Sequence, residues 1–485
     1  MGWLRAARVE LASALIAFCV YLATMPPSLT WSRFGIDGGD LARAIARGAL
    51  PHPPGFPAYL LIGNLFLRLP LEPAFSLNLM SAFFTASAVA LIVATARRMN
   101  GARFAAMSAG LALAFAPLVW AHAIIVEVYA LALFGAAFLL WLAARDVSPT
   151  VRAFALGIAT GAHPVLIFYA PIIWTRRASE PPRKRSTSTP SVQPPTSNLQ
   201  LPTSNLQSPI SILSISNPLI SFSLGWFFIY GFILLALNRA SSPWGEISSL
   251  ERWWSFVSAE LYRGYLFATP LADLPARAIA LIETLLVQFT PLGALIAIFG
   301  CAQTWRAHRA FAFASLIPFL LIAIFAITYN TFDSFVYLAL ALPILALYLA
   351  SGLSLLTSHV SRITHVSRAL RITLYVLLPL FQLALFWNAI NLRDDDAAMQ
   401  WARQTLRDAP PRAILLTNDD AQTFALWYAR DALGERADVI VLDRDLWLVA
   451  SYRKMLTDQF ALADDLDAAT VAQKSKRPVI VVEKR

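Results

Sequence analysis

The stretch VRAFALGIATGAHPVLIFYAPIIW, residues 151–174, decides how the chain folds. It is long enough to cross a bilayer once, which takes about 20 apolar residues. However, Gly161-Ala162-His163-Pro164 interrupts it in the middle, where the proline disfavours a continuous helix. The stretch is therefore either one span or two short half-helices that enter and leave the membrane on the same side.

Basic residues in the loops choose between these two interpretations. If the N-terminus is cytoplasmic, these residues fall inside only when 151–174 enters and leaves on the same side, because a single span would invert every later loop. We therefore expect two half-helices that place His163 in a site near the outer half of the membrane, where protein or water must cover the broken backbone. The basic residues concerned are Arg97, Arg98, Arg103, Arg145, Arg152, Arg176, Arg177, Arg183, Lys184, Arg185, Arg306, Arg309, Arg362, Arg368 and Arg371.

The composition predicts an α-helical polytopic membrane protein. Of the 485 residues, 58% are hydrophobic and 14% are charged, whereas soluble domains carry about 25% charged residues. The first apolar segment resembles a signal peptide, but no clear small-residue cleavage site follows, so we interpret it as a retained span. With the two half-helices there are about 11 membrane segments, and the others lie at roughly 9–25, 74–96, 104–119, 124–143, 217–237, 276–300, 311–328, 336–356 and 372–391.

Charge and cysteine content exclude several functions. The net charge of +10 lies mostly in short loops between spans, so we expect no nucleic-acid partner. Cys19 and Cys301 are far apart and indicate neither a disulfide framework nor a metal motif. The sequence has no Walker loop, GxGxxG, HExxH or paired CxxC motif, which argues against soluble nucleotide chemistry.

The chain divides into four predicted parts. One is rich in Ser, Pro, Thr, Asn and Gln and should be a disordered cytoplasmic loop. The last has strand-like stretches at 413–419, 438–444 and 478–484, which predict a small C-terminal α/β domain, either complete or truncated. The parts are a membrane module at 1–177 with external loop 26–73, the disordered loop at 178–216, a membrane bundle at 217–391 with external loop 238–275, and an extracytoplasmic domain at 392–485.

The first external loop carries paired carboxylates and a histidine. A partly desolvated carboxylate has a raised pKa that suits a general base, and Asp37 is the better candidate. Asp40 either shares this role or caps the interfacial helix predicted over 41–50. The turn His52-Pro53-Pro54-Gly55 orients His52 or is only a connector. A divalent cation at Asp37 and Asp40 is possible, but two carboxylates do not establish it.

Further candidates lie at the same predicted face. Glu127 and Tyr129 begin a span, where an ionisable residue either functions or pairs with a neighbouring arginine. Asp333 either belongs to the site or forms a simple turn between spans. Arginines on an outer face suit a phosphate, because positive charge is otherwise scarce there. The candidates in the two later loops are Arg239, Trp244, Glu246, Tyr262, Arg263, Tyr329, Asn330, Asp333 and Tyr337, while Trp253 and Trp254 fit an aromatic belt better.

Several motifs resemble those of a known family. DGGD…HPPGFP, EVYAL, the GAHP turn, WGE…YRGYLF and YNTFDSFVY occur in the same order in protein O-mannosyltransferase-like polytopic membrane proteins, and so does ILLTNDDAQTFALWYARDALGERADVIVLDRDL. The resemblance covers nearly the whole chain apart from 178–216. It implies a GT-C fold that uses polyprenyl-phosphate-linked sugars. It also implies that Asp37 is the base, that Asp40 stands where relatives often carry Glu, and that His163 lies near the lipid phosphate, although histidine is only partly charged near neutral pH.

We therefore expect an integral-membrane glycosyltransferase, in the plasma membrane if the organism is a prokaryote, that moves a sugar such as mannose from a polyprenyl phosphate to a protein hydroxyl or a glycan. The alternative is a non-enzymatic glycolipid transporter or flippase, although no internal repeat favours it. A protein that binds without turnover is a third idea. The expected roles are catalytic for Asp37 and Asp40, phosphate-binding for Arg263, His163 and Arg239, and pocket-forming for His52, Glu127, Tyr129, Trp244, Glu246, Tyr262, Tyr329 and Asp333.

Overall fold

Helices make up most of the chain in the computed structural model, which describes residues 8–145, 147–175, 217–363, 368–462 and 467–482. The predicted disordered loop at 178–216 lies outside the described residues. The division of the chain into four parts stays a prediction.

The helices of the first half follow the predicted apolar segments closely. A short 3₁₀ turn, Ser32–Asp37, precedes the second helix, and a 3₁₀ helix, Pro164–Trp174, follows the eighth. The helices are α1 (Arg8–Thr24), α2 (Gly38–Arg47), α3 (Pro57–Phe66), α4 (Pro73–Asn100), α5 (Arg103–Ala114), α6 (Pro117–Ala123), α7 (Tyr129–Ala144) and α8 (Pro149–Ala159).

The second half continues with long helices and then with shorter mixed elements. Three further 3₁₀ segments, Glu260–Tyr265, Ser334–Leu340 and Leu446–Leu448, and a π-helical turn, Tyr428–Ala432, lie between them. The elements are α9 (Pro218–Leu237), α10 (Leu250–Val257), α11 (Leu274–Ala307), α12 (Arg309–Thr328), α13 (Leu342–Ile363), α14 (Arg368–Ile390), α15 (Ala397–Asp408), β1 (Ile414–Thr417), α16 (Asp420–Trp427), β2 (Ile440–Asp443), α17 (Ala450–Phe460), α18 (Ala468–Lys474) and β3 (Val479–Val481).

Fewer helices than predicted are long enough to span a membrane alone. In the described parts of the chain, α4, α9, α11 and α12 are long and apolar enough, and counting two bent helix pairs as spans raises the number from 4 to 6. Helices α1 and α7 have 17 and 16 residues. They rise only about 24–26 Å, which is less than the ~30 Å hydrocarbon core. The prediction of eleven membrane segments is therefore not confirmed.

The stretch 151–174 is broken at the predicted place. Helix α8 ends at Ala159, and the 3₁₀ helix begins at Pro164. The Arg152 guanidinium, in the first turn of α8, donates to the carbonyls of Ile172 and Thr175 at 2.8 and 2.9 Å. The two ends of the stretch therefore lie side by side, and His163 lies at the opposite, broken end.

Helix α2 is enclosed by protein and does not lie along a bilayer surface as predicted. Its residues from Gly38 to Ile45 are all buried. Asp40 does not cap it, because no side chain caps this helix and Asp40 bonds elsewhere. Helix α16 covers α2 at Gly39, where an added Cβ would lie 2.3 Å from the Phe424 carbonyl oxygen. The C-terminal region thus packs directly against the segment that carries Asp37.

A small parallel sheet lies next to this contact. Its strand order is β2-β1-β3, and Ile414 pairs with Ile440 on one side and with Val479 on the other. All four residues of the central strand β1 are buried, as is usual for parallel strands covered on both faces. The three strands fall within the stretches where the sequence predicts strands. Helix α16 follows β1 directly at the carboxyl edge of the sheet, and it packs against α2.

Candidate functional site

A cavity of about 620 Å³ collects polar side chains from distant parts of the chain. We call it the carboxylate cavity, because Asp37, Glu127, Asp333 and Asp420 line it. Most of the site residues predicted from the sequence meet here. The predicted residues in its wall are Asp37, His52, Glu127, Tyr129, His163, Trp244, Tyr262, Arg263, Tyr329 and Asp333.

Three predicted site residues do not line this cavity. Arg239 lies at the end of α2, where its backbone N–H donates to the Gly48 carbonyl at 2.7 Å and its Nε donates to Ala236 O at 3.1 Å. Glu246 lines a different cavity. Asp40 is fully buried behind His52. Sequence spacing could not give the direction of these three side chains.

The Asp40 carboxylate fixes the imidazole of His52. Its Oδ2 accepts from the His52 backbone N–H at 2.7 Å and lies 3.0 Å from His52 Nδ1. The Trp244 indole Nε1 lies 3.1 Å from each Asp40 oxygen. Because Asp40 Oδ2 accepts this hydrogen bond, Nδ1 carries the proton. His52 Nε2 therefore faces Asp37 Oδ2, at 3.7 Å.

The pKa values of Asp37 and His52 are both raised, for different reasons. Burial raises the pKa of Asp37, the facing His52 lowers it, and the charges of Asp40 and Asp333 raise it further. The Asp37 side chain is 45% exposed, but it opens into the cavity, where protein surrounds it. Burial alone would lower the pKa of His52, but the Asp37 charge and the Asp40 hydrogen bond raise it.

His163 lies in another wall of the carboxylate cavity, where aromatic rings surround it. Its ring stacks on Tyr129 at 5.6 Å and meets Tyr337 edge-on at 5.4 Å between centroids. Its Nδ1 accepts from the Val165 backbone N–H at 3.2 Å. An accepting Nδ1 leaves the single ring proton on Nε2. His163 is therefore a neutral donor in this arrangement.

Arg263 supplies the positive charge of the cavity. It is the only arginine or lysine among the described residues that line this space. Its Nη2 donates to Ser258 Oγ at 2.9 Å, and its Nη1 lies 3.5 Å from Glu260 Oε1. The Arg263 side chain is 49% exposed, and ion pairs this exposed are weak. The guanidinium thus remains available to an anionic ligand.

Glu127 is not paired with an arginine. Its residue is 2% exposed, and its Oε2 accepts from the Val128 backbone N–H at 3.2 Å. Within the described parts of the chain, no ion pair involves Glu127. The interpretation of Glu127 as a structural ion-pair partner therefore lacks support.

Asp420 is a wall residue that the sequence analysis missed. It begins α16, three residues after β1, and lines the same cavity as Asp37. Burial, followed by the charges of Asp443, Asp37 and Asp419, raises the pKa of Asp420 to about 7. The signal was present, because ligands of parallel sheets bind beyond the carboxyl ends of the strands, where Asn418-Asp419-Asp420 lies.

A divalent cation at Asp37 and Asp40 has little to hold it. In the described ranges, no group of three or more His, Cys, Asp and Glu side chains is arranged to hold a metal ion. The Asp40 oxygens are engaged by His52 and Trp244. The cation stays a sequence-based prediction, and no step below depends on it.

Two solved structures are distantly similar to this chain. ArnT from Cupriavidus metallidurans bound to undecaprenyl phosphate is 15% identical with a TM-score of 0.45, covering 92% of this chain and 91% of that chain. The Archaeoglobus fulgidus oligosaccharyltransferase complex with Zn and sulfate is 13% identical with a TM-score of 0.49, covering 98% of this chain and 67% of that chain.

The N-terminal part has a more specific match. The mouse protein O-mannosyl-transferase TMEM260 is 32% identical over 114 residues, which are 23% of this chain and 16% of the mouse protein. A family model described as the protein O-mannosyl-transferase TMEM260 N-terminal domain matches residues 37–176, which include Asp37, His52, Glu127 and His163. The resemblance is thus confirmed for residues 37–176, which match the N-terminal domain of the protein O-mannosyl-transferase TMEM260 family.

Proposed function

We propose that this protein is an integral-membrane glycosyltransferase of the GT-C type. It would move a sugar, with mannose as the first candidate, from a polyprenyl phosphate to a hydroxyl of a protein or glycan on the non-cytoplasmic face. One observation carries the proposal: Asp37, a carboxylate with a raised pKa, shares one cavity with Arg263, an available guanidinium. The family match of residues 37–176 supports it.

Asp37 acts as the general base in this proposal. It takes the proton of the acceptor hydroxyl while that oxygen bonds to the anomeric carbon of the sugar. The bond between this carbon and the phosphate oxygen breaks, and its electron pair leaves with the lipid phosphate. The configuration at the anomeric carbon inverts. A base with a raised pKa takes the proton more effectively, as long as it is ionised at the working pH.

His52 steadies the ionised form of Asp37, and Asp40 is a positioning residue. The Asp40 carboxylate holds His52 Nδ1–H, which directs Nε2 towards Asp37. This differs from the catalytic role expected for Asp40, because the Asp40 oxygens do not line the carboxylate cavity. Positioning of this kind contributes to the rate because reacting groups must already be aligned when substrate binds.

Arg263 binds the departing phosphate, and His163 adds one neutral hydrogen bond through Nε2–H. Charge on the leaving group grows in the transition state, so a fixed cation near it lowers the barrier. Arg239 has no part in this step, because it lies outside the cavity.

Transfer assays on the purified full chain test the proposal. The protein, in nanodiscs, receives a polyprenyl-phosphate mannose and a serine- or threonine-containing peptide, and mass spectrometry detects the glycopeptide. Asp37→Asn should lower the rate at least about 100-fold while donor binding persists. Asp394→Asn changes an exposed carboxylate, 94% accessible, and should have no effect. Full transfer by Asp37→Asn would overturn the mechanism.

The same assay separates the enzyme from a flippase. Movement of the donor across a vesicle membrane with no transfer to any hydroxyl acceptor would favour the flippase. The donor sugar is varied in parallel, and transfer from glucose but not mannose would replace the first candidate.

The face of action has its own test. In a background without Cys19 and Cys301, the exposed residues Ser248 and Arg306 are each replaced by cysteine. A membrane-impermeant maleimide added to whole cells should label the Ser248→Cys variant but not the Arg306→Cys variant. The reverse pattern would contradict the proposed orientation.

A further inference from the structure

A second cavity, of about 580 Å³, lies next to the carboxylate cavity. The segment 242–246 runs between them: Trp244 lines the carboxylate cavity, while Ser242, Gly245 and Glu246 line the second one. Helix α2 provides Arg43 and Arg47 to the second cavity, and α17 provides Lys454. We call it the arginine cavity, because the buried Arg43 and Arg430 line it.

Two buried guanidinium groups share one carboxylate in this wall. Asp431 Oδ2 accepts from Arg43 Nε at 2.7 Å and from Arg430 Nη2 at 3.0 Å, and Oδ1 accepts from Arg430 Nε at 2.7 Å. Both arginine side chains are 7% exposed. Burial alone would raise the pKa of Asp431, but the two arginines lower it to about 2. Asp431 is therefore ionised, and the buried group keeps one uncompensated positive charge.

Part of the Arg43 guanidinium lacks an acceptor. Its Nη1 is buried and has no hydrogen-bond partner among the described residues. The group lies over the Trp427 ring at 5.1 Å from the centroid, which favours the charge but accepts no conventional hydrogen bond. A buried donor left unpaired is costly, and buried charges are normally paired. An anionic acceptor in the adjoining cavity would compensate this charge.

Charges at the rim point to the same kind of ligand. Arg47, Arg252 and Lys454 are exposed basic residues in the cavity wall, and Glu246 and Asp458 are its exposed acidic residues. With the buried group included, basic side chains outnumber acidic ones by two. A phosphate group is negatively charged at pH 7 and offers several acceptor oxygens, which suits guanidinium groups arriving from several elements.

We propose that the arginine cavity is a second site that binds a phosphate group, separate from the sugar-transfer site. The ligand is either free phosphate or the headgroup of an anionic phospholipid, which share this chemistry.

Binding of inorganic phosphate tests the site without using enzyme activity. The parent protein for this test is the full chain with Arg263→Gln, which removes the guanidinium of the carboxylate cavity. Calorimetry measures the binding of inorganic phosphate to this protein in phosphatidylcholine nanodiscs at low salt. Adding Arg47→Gln with Lys454→Gln should weaken binding at least about tenfold, because the cavity wall loses two cations that attract the anion. The matched pair Arg393→Gln with Lys476→Gln removes the same charge from exposed positions outside the cavity and should leave the affinity unchanged.

A variant that is expected to strengthen phosphate binding separates loss of the site from damage to the fold. Glu246→Gln with Asp458→Asn removes two carboxylates from the rim and should tighten phosphate binding, an effect that misfolding would not produce. The proposal is overturned if the parent protein shows no saturable phosphate binding, or if the two basic double variants weaken it equally.

Two lipid compositions then distinguish the sources of phosphate. If a lipid headgroup reaches the cavity, nanodiscs containing phosphatidylglycerol should compete and weaken the apparent affinity for inorganic phosphate several-fold. Equal affinity in both kinds of nanodisc identifies the free anion as the ligand. Both results support the anion site, and neither depends on the transfer reaction.

Discussion

The indole nitrogen of Trp244 lies 3.1 Å from both oxygens of Asp40, a contact that spans 204 residues of sequence. It joins the segment between α9 and α10 to the first turn of α2. Through Asp40 it also reaches His52 and hence Asp37. A residue with no proton to exchange with substrate thus helps to set the geometry of the proposed base.

Replacing Trp244 by Phe should slow sugar transfer about tenfold without changing the KM of the donor, because one charge-assisted hydrogen bond to Asp40 is lost. His52 would be held less firmly, and its raised pKa should fall towards the ordinary value. The inflection of the pH–rate profile that depends on His52 should then move to lower pH. Trp253→Phe removes an indole bond to the Tyr230 carbonyl, away from the cavity, and is the control. An unchanged profile in Trp244→Phe would argue against this connection.

Arg263→Gln should lower kcat about 100-fold and raise the donor KM, because the cavity loses its fixed cation. Arg263→Lys should restore part of the rate, since the charge returns without the planar fork. Arg239→Gln should leave both constants unchanged, which steady-state kinetics would check. If Arg239→Gln proves as damaging as Arg263→Gln, the assignment of the phosphate site is wrong.

Asp420→Asn should remove a pH dependence near neutrality. The pKa of Asp420 is raised to about 7, so the folded chain holds this proton more tightly than the unfolded chain, whose value is about 3.9. The contribution of Asp420 to the free energy of unfolding is therefore fully present below about pH 4, and it is lost as the pH rises through about 7. Thermal melts from pH 5 to pH 8 should show a smaller loss for Asp420→Asn than for the parent. Asp408→Asn, at an exposed position, should behave like the parent.

The break in residues 151–174 depends on close packing against α9. A Cβ added at Gly161 would lie 2.4 Å from Ile229 Cγ1, whereas one at Gly231 would meet nothing closer than 3.7 Å. Gly161→Ala should therefore destabilise the protein by about 1–3 kcal/mol, as overpacked sites usually do. Gly231→Ala should be tolerated. Thermal unfolding in detergent compares the two variants. Equal melting temperatures would mean that the segment 151–174 is not tightly packed against α9 at Gly161.

Hydropathy was sufficient to predict most of the helices, because they depend on local sequence, whereas the break before Pro164 also required the positions of basic residues in distant loops. The family resemblance was also readable, because its motifs are short and ordered. The direction in which individual side chains point could not be predicted from the sequence. Asp37 and Asp40 are three residues apart, yet Asp37 opens into the cavity while Asp40 turns into the protein. Arg239 and Arg263 looked equivalent until the backbone contact of Arg239 with Gly48 placed it elsewhere.

The carboxyl end of β1 marked Asp420 as a candidate, but the cavity that Asp420 lines depends on how α16 packs on α2, which local patterns do not show. The number of membrane segments was uncertain for another reason. Helices of 16 or 17 residues, such as α7 and α1, fall just short of a full crossing, and hydropathy does not show how neighbouring protein covers their ends.

The contact of Phe424 with Gly39 also has a consequence for biogenesis. A ribosome makes residue 39 long before residue 424. The first loop therefore lacks its contact with α16 while all the intervening helices insert. Chains released before α16 is synthesised should still integrate into the bilayer, yet they would lack one wall of the carboxylate cavity. If the proposed function holds, newly made protein would therefore stay inactive until α16 has been translated and docked.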